Sequence, residues 1–337
     1  MKTYSSLLLF FLFPFLFHAQ AEKPKSDFIL SFGSCNNQNS TNKMWDEILK
    51  NNPDIFIWGG DIIYSDTYNM EVMEKNYIKQ KNNPTYQNFT QQVPVIGTWD
   101  DHDYGVNDGG LEYSKKEEVQ QLFLNFFDVA ASDSRRLQEG IYFSKKTHIN
   151  KHSINIIILD TRYFRTALTK DKTGTKRYIP NQHDNGTMLG EKQWIWLENE
   201  LKNSTANFNI IVSSIQFLSS EHGFESWGNM PNEVRKMNRL IAGSKAKGVL
   251  ILSGDRHISE ISKDTISNVS YPLIDFTSSG LTHSYRSFKG ESNKFRVSKV
   301  VSSTSFGMLY FNFQENSVLL EIRGENNELY ESLYQKY

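Results

Sequence analysis

Pro94-Val95-Ile96-Gly97-Thr98-Trp99-Asp100-Asp101-His102-Asp103 decides how the chain is read, because an apolar run stops there in four consecutive ionisable side chains. A short continuous apolar run suits a strand buried on both faces, and open α/β sheets carry their functional groups just beyond the carboxyl ends of such strands. The same plan recurs. Ile29-Leu30-Ser31-Phe32 ends in Gly33-Ser34-Cys35, and Ile55-Phe56-Ile57-Trp58 ends in Gly59-Gly60-Asp61. Ile156-Ile157-Ile158-Leu159 ends in Asp160-Thr161-Arg162, and the run Val249-Leu250-Ile251-Leu252 leads to Gly254-Asp255-Arg256-His257. Five strands are therefore expected to converge on one edge.

Working outward, the first third reads as strand, helix, strand, helix, strand. The strands are expected at 28–32, 55–58 and 93–98, with a helix capped by Ser40 or Thr41 and running to about Lys50, a second helix over 70–80, and an irregular polar stretch over 84–92. This is a right-handed βαβαβ unit. Residues 104–113, rich in Gly, Asn and Asp, read as a loop; 114–129 read as an amphipathic helix presenting Val119, Leu122, Phe123 and Phe126 on one face. Strands are expected at 140–143, 153–159 and 209–212, helices at 191–201 and 233–244, and a lid or substrate-facing insertion over 166–188. The short tail strands at 271–277, 308–313, 318–321 and 328–333 are expected to form a second, mostly antiparallel sheet packed on the first.

With 337 residues and a formal charge of −1 the chain can bury a full core as one large domain, and it lacks the basic field that nucleic acid binding requires. An anionic ligand needs a local site. Lys2, the apolar stretch 7–17 and Ala19-Gln20-Ala21 before Glu22 read as an export signal over 1–21, leaving 22–337 as one domain without a transmembrane helix. In an exported chain the single cysteine, Cys35, has no internal disulfide partner. It is a buried small hydrophobe or a metal thiolate, and its place at the charged edge favours the thiolate.

Cys35, Asp61, Tyr64, Asp100, Asp101, His102, Asp103, Asp255 and His257 are taken together as one site. Clustered carboxylates cannot all ionise without a cation, so a metal centre is the economical explanation. Thiolate, imidazole and phenolate suit a transition ion, and the remaining oxygens suit calcium or magnesium. Each motif alone is an ordinary turn; their order, each behind a buried strand, makes the case.

That order resembles the PhoD-like (alkaline phosphatase D) branch of the calcineurin-like metallophosphoesterases, over about residues 28–279. The resemblance implies a four-layer αββα sandwich of two mixed β-sheets in the α/β class, and a centre of Fe(III) with calcium or another divalent pair. It implies Cys35, Asp61, Tyr64, Asp101, Asp255 and His257 as metal ligands, His102 as the catalytic residue at the scissile phosphate, and Arg162, with Arg165 a weaker candidate, at the substrate phosphate. For Arg162 the alternative is a structural ion pair with Asp160 or another carboxylate. Where the wider superfamily carries a ligand histidine, after Val212-Ser213-Ser214, this chain offers Gln216, with His222 nearby; whether Asp100, Asp103, Asn107, Gln216 or His222 joins the shell stays open. The first catalytic strand follows the leader directly, where longer members carry an N-terminal sandwich domain. The function implied is that of an exported monomeric enzyme releasing phosphate from small monoesters. Diester or phospholipid hydrolysis, or a non-catalytic metal-binding role, are the alternatives.

Overall fold

A computed structural model describes residues 25–182 and 185–337; the leader expected at 1–21 lies outside them. The layering follows from the two-residue alternation of side chains along each central strand. In β2 (Ile55–Gly59), Ile55 and Ile57 face one apolar cluster and Phe56 and Trp58 another. In β5 (His152–Ile158), Ile154, Ile156 and Ile158 face the first of these clusters and Ile157 a third. Strands buried on both faces need four layers to cover them, which is why these runs are continuously apolar.

The first sheet is built around β1 (Phe28–Gly33), β2 and β3 (Val95–Thr98), which are parallel. Its outer face is covered by α1 (Met44–Leu49), α2 (Met70–Lys81), α3 (Pro84–Thr90) and α5 (Lys116–Phe126), which follows the single turn α4 (Asp101–Tyr104). The second sheet sets β4 (Phe143–Ile149) antiparallel beside β5, then continues in parallel through β8 (Phe208–Val212), β9 (Val249–Ser253) and β11 (Leu273–Ser278) to antiparallel β10 (Ser259–Asp264). Its outer face takes α6 (Gly190–Lys202) and α7 (Pro231–Ser244). The expected insertion over 166–188 contains a small hairpin, β6 (Thr169–Lys170) with β7 (Tyr178–Ile179). The four-layer αββα sandwich is therefore the fold, with the apolar faces of both sheets packed on each other between the helical layers.

The tail corrects one expectation. β12 (Ser305–Asn312), β13 (Ser317–Gly324) and β14 (Leu329–Lys336) do not form the second sheet; β12 pairs antiparallel with β1 and the three extend the first sheet. The second sheet comes from the middle of the chain, is mainly parallel rather than antiparallel, and takes only 271–277 of the expected tail strands, as β11 beside β9, so the five motif-bearing strands belong to two sheets, three to one and two to the other. Residues 84–90, read as irregular, are helical: Asn83 Oδ1 accepts from the backbone N–H of Thr85 and Tyr86, and Pro84 occupies the first turn, where a missing N–H costs nothing. At α1 neither Ser40 nor Thr41 caps the helix; Lys43 holds the N-cap position, and Asn42 Oδ1, one residue before it, accepts from Met44 N at 2.8 Å. The strand expected at 140–143 begins instead at Phe143.

Candidate metal centre

Each motif sits where a strand ends and the backbone turns sharply. Cys35, Asp61, Asp255 and His257 have φ of 60°, 51°, 67° and 53°, the left-handed region that side-chain-bearing residues avoid. Such strain, on the order of 1–3 kcal/mol per residue, persists only where the surroundings enforce it, and it gathers at functional sites. The two sheets meet at these ends so closely that a Cβ added to Gly254 would lie 2.5 Å from Ser34 Oγ and 2.7 Å from the Gly59 carbonyl. Glycine there lets β9 bring Asp255 and His257 against the residues after β1 and β2.

Cys35 Sγ lies 3.2 Å from Asp61 Oδ2 and 3.0 Å from Ser279 Oγ, at the end of β11. Tyr64 Oη donates to the same Asp61 oxygen at 2.9 Å and lies 3.0 Å from His257 Nε2. Three groups of ligand atoms, all within 4.8 Å of one another in each group, overlap here: Cys35, Asp61 and His257; Asp61, Asp101 and His102; and Asp100, Asp101 and Asp255. Asp61 belongs to two groups and Asp101 to two, so adjacent ions could share a carboxylate.

The electrostatics ask for a cation. Burial pushes Asp61 and Asp255 well above the usual carboxylate range, and their acidic neighbours push further. Burial lifts Asp100 to about 7 against the pull of Arg162, and raises the Cys35 thiol to about 11. Burial would lower His102, but Asp66, whose Oδ2 accepts from Nδ1 at 2.7 Å, together with Asp61 and Asp101 raises it to about 10. Asp61 Oδ1 and Asp100 Oδ2 are buried with no hydrogen-bond partner among the described residues. A bound cation would satisfy both orphaned oxygens, so the residues present fit a metal centre.

The neighbouring acids are already committed. Asp103 accepts from Ile62 N at 3.0 Å and Asp100 N at 2.6 Å, fixing the turn that carries the cluster. Asp160 accepts from Trp99 Nε1 and from the backbone of Arg162, Tyr163 and Ile141. Asn107 Nδ2 reaches Asp101 Oδ2 at 3.4 Å; Gln216 instead donates to Glu260 and Thr277, and His222 is in none of the three groups. Beyond β8 it is Ser214 that faces the cluster, donating to Asp100 Oδ1 at 2.7 Å.

A family model described as PhoD-like phosphatase matches residues 30–325. The chain belongs to this family. Alkaline phosphatase D of Bacillus subtilis (strain 168) is 25% identical over 184 residues, 49% of this chain and 31% of that protein, so the match spans under a third of the relative's length. The solved structure of PhoD superposes with a TM-score of 0.71 at 16% identity, covering 92% of this chain and 68% of that one. A second structure, of GAP50, the anchor in the inner membrane complex of Plasmodium, gives 0.55 at 11% identity, covering 92% and 88%. At these identities the superpositions show the fold.

Within this PhoD-like frame the two arginines differ from expectation. Arg162 and Arg165 are fully buried and do not line the cavity beside the cluster. Arg162 donates through Nε to Asp100 at 2.7 Å and through Nη1 to Glu225 at 2.6 Å; Arg165 pairs with Glu225 at 2.9 Å. The ion-pair alternative for Arg162 is the one present, with Asp100 rather than Asp160 as its carboxylate partner. Asp66, Ser279 and Glu225 went unnoticed as parts of the site. Ser278-Ser279-Gly280 repeats the pattern of an apolar strand ending in small polar residues, the signal that marked Gly33-Ser34-Cys35.

Proposed function

We propose that the chain is an exported metal-dependent phosphoesterase that releases phosphate from small monoesters. The observation that carries this reading is the overlap of Cys35, Asp61, Asp101, His102 and His257 in shared ligand groups, in a chain of the PhoD-like phosphatase family. Cys35, Asp61, Tyr64, Asp101, Asp255 and His257 are proposed as the ligands, with Fe(III) on the thiolate and phenolate side and calcium or another divalent ion on the carboxylate side. Such ions supply positive charge for the phosphate oxygens and make a water nucleophilic near neutral pH.

The rest is done by side chains. Asp66 accepts from His102 Nδ1, which fixes the ring and leaves Nε2 to the substrate. His102 lines the cavity, and the Asp66 carboxylate on Nδ1 favours its protonated form, so it is suited to donate a proton to the leaving oxygen. Arg162 is a positioning residue: it ties Asp100 to Glu225 and so holds the turn bearing Asp101 and His102. Export rests on Lys2, the apolar 7–17 stretch and Ala19-Gln20-Ala21. Mass analysis of the secreted chain, expected to begin at Glu22, tests it.

The activity is tested by release of the aryl alcohol from an aryl monophosphate and from a bis-aryl phosphate, with iron and calcium added, beside Asp61→Ala. Faster turnover of the monoester, lost in the variant, supports the proposal. A preference for the diester reassigns the substrate class, and metal binding without hydrolysis of either ester leaves the non-catalytic reading.

A further inference from the structure

The cavity beside the cluster has a volume of about 470 Å³ and brings Asp101, His102 and His257 together with Arg177, Phe224 and Arg256. A guanidinium able to turn toward an entering phosphate would meet its oxygens in bidentate geometry. Arg162 and Arg165 are sealed beneath, spent on Asp100 and Glu225. Arg256 is 9% exposed, gives Nη2 to both oxygens of Glu291 at 2.9 and 2.8 Å, and lies 4.2 Å over the Phe224 ring. Arg177 is different: its side chain is 48% exposed and its ion pair is with Asp108 Oδ2 at 2.5 Å.

The backbone that carries Arg177 is fixed. The N–H groups of Arg177 and Tyr178 both donate to the Gly223 carbonyl, at 3.0 and 2.9 Å, and Tyr178 Oη donates to Asp108 Oδ2 at 2.7 Å. Asp108 in turn donates its backbone N–H to Asp101 Oδ2 at 2.6 Å. The exposed guanidinium, which also lies 5.5 Å over the Tyr178 ring, is therefore anchored through one residue to a carboxylate of the cluster.

We propose that Arg177 is the residue that grips the substrate phosphate, with Asp108 holding its guanidinium in place until a phosphate dianion displaces that carboxylate. The proposal rests on the phosphoesterase reading of the same site. A guanidinium offers phosphate two parallel N–H bonds, a geometry an ammonium cannot match, so Arg177→Lys recovers only part of the grip.

The test uses the metal-loaded protein and two readouts: calorimetric binding of inorganic phosphate, and kcat and KM on an aryl monophosphate. Arg177→Ala is expected to weaken phosphate binding and raise KM by roughly 10- to 100-fold, the worth of a charge-assisted bidentate contact, with an unchanged thermal midpoint. Asp108→Asn frees the guanidinium and is expected to tighten phosphate binding a few-fold, a gain that disappears in the double variant with Arg177→Ala. A merely structural Arg177–Asp108 pair weakens binding in both single variants, which overturns the proposal, as does unchanged binding in Arg177→Ala. If the wild type binds phosphate through Arg177 but hydrolyses no ester, the phosphoesterase reading fails while Arg177 stands as an anion site. If it hydrolyses the ester but binds no phosphate, the Arg177 proposal fails and the phosphoesterase reading stands.

Discussion

At the residue scale, Asp103 accepts from backbone N–H groups whereas Asp101, two positions earlier on the same turn, faces the cluster. That division is made by a single helical turn and by Asp66, which lies 36 residues from His102 in sequence. His102→Ala is expected to lower kcat by roughly 10²- to 10⁴-fold with metal content unchanged, which steady-state kinetics and metal analysis check together. Arg162→Ala leaves Asp100 buried without its guanidinium and Glu225 with Arg165 alone, so chemical denaturation is expected to show a loss of about 3–5 kcal/mol. A variant as stable as wild type means the ion pair holds nothing together. Cys35 has its thiol raised by burial, so it becomes a thiolate only if a bound cation offsets that cost. Iron held there is expected to colour the protein through the thiolate and the Tyr64 phenolate, and Cys35→Ser and Tyr64→Phe are expected to change that absorption separately. A colourless, active protein whose Cys35→Ser form keeps its metal overturns the iron assignment.

Elements were legible where burial dictated a pattern, and less so where a polar strand or a capping side chain did. The central strands announce themselves as apolar runs because both faces are covered. β10 has one apolar side chain, Ile261, and went unread; its buried Glu260 is instead satisfied by Arg296, Asn293 and Gln216, contacts between distant parts of the chain. α3 carries a signal of its own in Asn83-Pro84, a cap followed by a first-turn proline, which outweighs the polar composition of the stretch. β11 carries its own pH dependence. Asp275 sits inside the second sheet, where burial pushes it up to about 6 although Phe217 N, Leu218 N and Ser253 Oγ all donate to it. Its folded pKa lies above its unfolded value of about 4, so its contribution is full below pH ~4 and is lost as pH rises through ~6. Across that window the wild type is expected to lose on the order of 2–3 kcal/mol relative to Asp275→Asn, measured as unfolding free energy at pH 4 and pH 7. A difference that does not change with pH, or that grows in favour of the wild type, contradicts this.

At the scale of the whole molecule, the convergence of motifs was legible but the assignment of tail strands was not. Antiparallel strands pair with whatever open edge their register allows, and β12 finds the free edge of β1, which places the last strands beside the first. The consequence is functional: with the first sheet completed by the tail, the second is free to run from β5 to β11 and to present Asp255, His257 and Ser279 to Cys35 and Asp61. Two sheets closed on each other through one apolar layer thus act as a rigid frame for ligands drawn from both. That this frame holds catalytic metal is tested by measuring bound metal and phosphate release on the same sample, for wild type and for Asp61→Ala, whose carboxylate is shared by two ligand groups. Stoichiometric metal and monoester hydrolysis are expected in the wild type, with both lost in the folded variant. Full hydrolysis by a metal-depleted wild type, or by Asp61→Ala, would contradict it.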